Sequence, residues 1–148
     1  MSIALGSALG VAFAILLGCS RTAPATEPVP AARESATLAQ TYFWRAKPDR
    51  FAEYSRYVHD VAEPIDREAQ RRGAFLSVTT YATADTTVPW THMRVFLLRD
   101  STQWRGLAAA LAAAGVRVEP DSIRRRERTA YSATLRDPAG AALTRLLR

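Results

Sequence analysis

The sequence predicts an α+β domain of element order βαββαβ, a four-stranded antiparallel sheet with two helices on one face. Three observations lead there. Runs rich in aromatic and β-branched residues recur along the chain from residue 37 onward. One long apolar stripe at helical spacing separates the first two runs, and a second such stripe precedes the last.

The first strand is expected over residues 37–45, where Leu38, Tyr42, Phe43 and Trp44 favour extended backbone and Pro48 closes the run. Pro48 suits the first turn of a helix, where a missing N–H costs nothing, and Asp49 complements the positive end of its dipole. Phe51, Tyr54, Val58, Val61 and Ile65 then step by three or four, laying one stripe along that helix. Pro64 should kink it or split it near Glu63, with resumption through Ile65 and Ala69 to a stop at Gly73. Strands over residues 75–81 and 92–98 flank a polar turn containing Asp85, Thr86, Thr87 and Pro89, and should pair as an antiparallel hairpin. Asp100 and Ser101 start a second helix, in which Trp104, Leu107, Ala108 and Leu111 form the apolar stripe and which Gly115 ends. The last strand is expected over residues 128–135, bringing Tyr131 and Leu135 into the sheet before Asp137-Pro138 breaks it, with a short amphipathic tail at residues 141–148. That order is the split-βαβ, ferredoxin-like arrangement.

Strand alternation assigns the faces. Met93, Val95 and Leu97 make one clean apolar face, expected under the helices, with His92, Arg94, Phe96 and Leu98 opposite. Gln40, Tyr42 and Trp44 share a face of the first strand.

Ahead of the domain, residues 3–17 form an apolar stretch, short of the roughly 20 residues that span a bilayer but as long as the apolar region of an export signal. It ends in Leu16-Leu17-Gly18-Cys19, which resembles the bacterial lipobox. The resemblance implies that residues 1–18 are a lipoprotein signal peptide and that Cys19 carries a diacylglycerol thioether, a membrane anchor reinforced by acylation of the freed amine. No Lys or Arg precedes the apolar stretch. Cleavage after Ala23-Pro24-Ala25 and an uncleaved anchor are the alternatives. Ser20, where Asp would mark inner-membrane retention, implies outer-membrane delivery facing the periplasm. Residues 19–36, with three prolines and Val29 as the one large apolar residue, read as a disordered tether. The folded domain is expected over residues 37–148.

A domain of that size, roughly 110 residues, leaves no room for a second and gains from burying a further face by self-association. The formal net charge is +6, a field that favours anionic partners such as lipid headgroups; nucleic acid is not expected for an exported protein. The one concentration of charge is Arg124, Arg125, Arg126 and Arg128, interrupted by Glu127 and placed just before the expected last strand. Like charges there guard a strand edge, or form a basic patch for anions or a membrane surface. Cys19 is the only cysteine, which excludes an intrachain disulfide or thiol catalysis in the domain. His59 and His92 are the only histidines and lack metal-ligand spacing; no metal and no cofactor is expected.

Element order, Trp44-Arg45 followed by Lys47-Pro48-Asp49-Arg50-Phe51, the long first helix and the Trp104 helix together resemble the dimeric α/β-barrel families over residues 37–135. Those include antibiotic-biosynthesis-type monooxygenases, small-molecule isomerases and stress-response barrels. The resemblance implies a homodimer formed through the helix-free face of each sheet, with a ligand cavity on each. Tyr42, Trp44, His92, Arg94 and Tyr131 then make an aromatic pocket with one cationic and one titratable group, suited to a small aromatic or acidic ligand, or simply an interface. Three functions stay open: a periplasm-facing binding or assembly domain, a cofactor-independent monooxygenase or isomerase with His92 as proton carrier and Arg94 as oxyanion partner, and an envelope interaction module using the basic patch.

Overall fold

The computed structural model describes residues 29–147. The expected signal peptide, the lipidation site Cys19 and the tether up to residue 28 lie outside the described residues. Residues 29–35, expected within the tether, form a short helix, α1 (Val29–Ser35). Ala32 and Ala36 are buried against Leu76, with Leu97 and Leu146 packed alongside.

The chain forms an α+β, ferredoxin-like domain. Strand β1 (Leu38–Ala46) leads through a turn into α2 (Phe51–Tyr57), a π-helical turn (Val58–Ala62) and α3 (Glu63–Arg71). Strands β2 (Ser77–Ala82) and β3 (His92–Leu98) follow as an antiparallel hairpin. Then come α4 (Ser101–Val118), α5 (Ser122–Leu135) and β4 (Arg136–Arg145). The sheet order is β2-β3-β1-β4, antiparallel throughout.

Local chemistry accounts for the boundaries. Pro48 and Asp49 form a turn rather than a helix start, with Asp49 at φ 62°, a backbone state that short polar side chains tolerate. Pro64 cannot donate to the carbonyl four residues before it, and its ring crowds that group. The helix widens into the π turn and resumes at Glu63, as its sequence suggests, ending at Gly73 with φ 76°. Asp100 caps α4 by accepting hydrogen bonds from the backbone N–H of Thr102 and Gln103. Gly115 does not end α4; it lies within the helix against Ile65.

The C-terminal third departs most from expectation. Residues 128–135 are not a strand: Asp121 caps a helix by accepting from the N–H of Ile123 and Arg124, and α5 runs to Leu135. The last strand is β4, which takes in both Asp137-Pro138 and most of the expected tail. Pro138 is tolerated because β4 is an edge strand and the pairing with β1 slips there, between Phe43 and Trp44.

The two faces of β3 are also exchanged. His92, Arg94, Phe96 and Leu98 are the buried set, while Met93, Val95 and Leu97 are half-buried on the side away from α2, α3 and α4. Phe96 and Leu98 join Ala69, Phe75, Leu107 and Ala114 in the main core. A second core holds Ala46, Tyr54, Val58 and Leu135. Polar residues are accepted on the covered face because the helices bring partners to them.

Candidate functional site

Cross-strand pairing puts Trp44 opposite His92, and Tyr42 and Thr80 on either side of Arg94. These residues share the helix-covered face. Of the five residues expected to form one pocket, Tyr42, Trp44, His92 and Arg94 are therefore brought together, but beneath helices rather than on the open face. Tyr131 is elsewhere: it is exposed on α5, and its hydroxyl donates to Glu53 at 2.5 Å.

His92 is 1% exposed. Its ring meets Tyr54 edge-on at 4.5 Å and lies 5.0 Å from Phe51. Ser55 donates its hydroxyl to the Phe51 carbonyl, so it accepts from His92 Nε2 at 2.9 Å. The Thr91 hydroxyl, 3.0 Å from Nδ1, completes the set as donor. Burial pushes the imidazole down to about 4, leaving it neutral at physiological pH. The same burial pushes the Tyr54 phenol up to about 12.

Arg94 is 7% exposed and forms an ion pair with Asp66 of α3, itself 3% exposed. Its guanidinium also lies 5.5 Å from the Phe96 ring. Burial lowers the Arg94 guanidinium to about 10, so it stays charged at neutral pH. Neighbouring charges pair on the outer side of this helix, Arg50 with Glu53 at 2.5 Å and Arg67 with Glu63 at 3.3 Å. Asp66 turns inward instead. It also lines a cleft of about 270 Å³ with Glu63, Arg67, Gln70, Val78 and Thr80, between α3 and β2.

A second cleft, of about 280 Å³, opens where α2, α5 and β4 meet, lined by Tyr57, Thr129, Ser132, Ala133, Arg136 and Pro138. Its cation is Arg136, which was not among the expected site residues. The guanidinium stands 4.7 Å over the Trp44 ring and 5.6 Å from Tyr54, and Nε donates to buried Ser132 at 3.0 Å. Among the described residues no carboxylate pairs with it. A cation held over aromatic faces, with its terminal nitrogens uncommitted, is equipped to take a planar anion through two parallel hydrogen bonds. Trp44 was the available signal: it begged a partner on the same face, and the chain returns one from β4. No group of His, Cys, Asp and Glu able to hold a metal ion occurs among the described residues.

The basic cluster occupies the first half of α5 rather than a loop. Arg128 pairs with Glu119 at 3.0 Å, and Arg125 donates to the Glu119 and Pro120 carbonyls at 2.8 and 2.7 Å. Trp90 packs 6.1 Å from Phe43, as a loop indole next to a core edge should.

No protein-family model matches the sequence, and no curated protein matches it. Among solved structures, the crystal structure of HapK from Hahella chejuensis is similar with a TM-score of 0.47 and 11% identity, over 74% of this chain and 92% of that chain.

Two outcomes test the buried groups. Asp66→Ala, which strands Arg94 without its counter-charge, is expected to lower unfolding free energy by about 3–5 kcal/mol. Asp66→Leu combined with Arg94→Met should recover most of that loss in urea denaturation. For His92, the folded-state value of about 4 lies below the free value of 6.5, so between those pH values only the unfolded chain takes up the proton. Stability should be complete above pH 6.5 and fall as pH drops toward 4, by at most about 1.4 kcal/mol per pH unit. His92→Gln should flatten that part of the profile.

Proposed function

We propose that the protein is a lipid-anchored binding domain of the bacterial envelope that takes a small planar anion, an aromatic carboxylate in the first instance, at Arg136. The observation that carries this is the guanidinium itself: stacked on Trp44 and Tyr54, fixed through Ser132, and lining a cleft without a carboxylate partner. Thr129 and Ser132 add hydroxyl groups, while Tyr57 and Pro138 supply flat apolar wall. The ligand class is the one the sequence pointed to; the residues that receive it differ. His92 and Arg94 would support the site from below rather than touch the ligand.

Anchoring at Cys19, outer-membrane delivery and a periplasmic orientation belong to the same proposal and rest on the lipobox. They predict that Cys19→Ala loses the lipid-modified mass and the membrane fractionation of the wild-type protein. Homodimerisation through the sheet face opposite α2, α3 and α4, which α1 covers at Leu97, is supported by half-buried Phe43, Met93 and Val95 and exposed Tyr81 on that face. A native mass of twice the protomer is the expected result.

The decisive experiment is calorimetric titration with benzoate and phenyl phosphate. Wild-type protein should bind at least one saturably, and Arg136→Gln should weaken that binding by roughly tenfold or more, the scale of a charge-assisted hydrogen-bonded pair. Benzyl alcohol, the neutral counterpart, should not distinguish the two proteins. Equal affinity in the Arg136→Gln variant, or no saturable binding of either anion, would remove the reading.

A further inference from the structure

We propose that α5 and the turn leading into it form a docking surface for an anionic lipid bilayer. Of the fourteen residues of α5 only Ser132 and Leu135 are buried. Its outer side leaves Ile123 57% exposed and Tyr131 46% exposed, and Val116 and Val118, at the end of α4 just before it, are exposed as well. Isolated apolar side chains on a surface need no account, but three within eight residues around one turn do.

The charges interleave with them. Arg124, Arg125 and Arg126 stand in the first two turns of α5, whose first turn holds no acidic residue. Cations at that end oppose the helix dipole, so the helix gains nothing from their placement. Two of the basic side chains have structural work: Arg128 pairs with Glu119, and Arg125 caps backbone carbonyls. Arg124 has only a long contact of 3.9 Å to exposed Asp121, and Arg126 has no ion-pair partner among the described residues. Arg126 lines an open concavity with Ser122, Arg125, Thr129 and Ala130, where a lipid phosphodiester would meet the Arg126 guanidinium and the Ser122 hydroxyl, the Thr129 hydroxyl being already donated to the Arg125 carbonyl.

Charge decides the occupant. Arg117, Arg124, Arg125, Arg126 and Arg128 against Glu119, Asp121 and Glu127 leave this surface with a net positive charge, so a second copy laid face to face would oppose like charges. A soluble polyanion would use the arginines but not Ile123, Val116 and Val118. A bilayer with anionic headgroups uses both, taking phosphate at the arginines and the branched side chains at the acyl boundary. The inference is independent of the Arg136 cleft. With lipid on Cys19 it would hold the domain itself against the bilayer that the anchor enters.

The test uses the chain from Ser20 onward, which lacks the acyl acceptor and the apolar leader. Every described element lies within residues 29–147 and closes on one sheet, so this chain keeps the fold whole. Cosedimentation is measured with phosphatidylcholine vesicles and with vesicles containing about 30 mol% phosphatidylglycerol, at low salt and at about 0.3 M salt. Binding is expected to the anionic vesicles only and to weaken with salt. At roughly fivefold per arginine near such a surface, Arg124→Gln with Arg126→Gln should reduce it by roughly 25-fold. Arg124→Lys with Arg126→Lys should retain it, and Ile123→Ser should weaken it several-fold without changing the salt dependence. Circular dichroism identical to wild type establishes that each variant is folded. No binding, equal binding to neutral and anionic vesicles, or unchanged binding by the glutamine variant would overturn the proposal.

Discussion

Two opposite charges buried under a helix, Asp66 and Arg94, set the terms on which α3 sits on the sheet. Arg94 lies on β3, an inner strand, with Tyr42 and Thr80 as its cross-strand neighbours. An uncompensated guanidinium there is far costlier than any apolar mismatch, so the helix must deliver a carboxylate to that point and no other. The belt around the pair follows from it. Tyr54 and Phe51 enclose His92, Ser55 satisfies its nitrogen, and Tyr54 also underlies Arg136.

Along β3 the covered face of the sheet is the more polar one. Gln40, His92 and Arg94 are all buried there, each bonded or paired, while Met93 and Val95 look outward. A reading that sends the cleanest apolar face inward fails on such a sheet, because it counts side chains of the strand without counting what the helices bring. That is why the alternation of β3 was legible as a strand, to the residue, but not as to which side faced the core.

Elsewhere the legible features were those with local causes. The Asp100 cap, the Gly73 stop, the split at Pro64 and the hairpin all depend on a few adjacent residues. The C-terminal order was not legible, because Asp137-Pro138 carries a strong break signal that an edge strand with a register slip overrides, and because α5 lacks an apolar stripe to announce it. Arg136 escaped notice for the related reason that its value comes from Trp44 and Tyr54, which are remote in sequence and near in space. Asp66 was not legible because steps of three and four from Phe51 through Ile65 carry the α-helical rotation through the expected split at Pro64, and on that rotation position 66 falls beside the stripe.

The π turn is what moves it onto the stripe. A turn that holds one residue more than an α-helical turn resets the rotation of everything after it by about 100°, so Asp66 comes into phase with Tyr54 and Val58 rather than lying a quarter-turn away. The helix and the sheet are in this sense phase-locked through a single surplus residue. Lineages of this fold in which the turn has been lost by a one-residue deletion would have to move the carboxylate along the helix, or abandon the buried arginine, and the two changes should be found together.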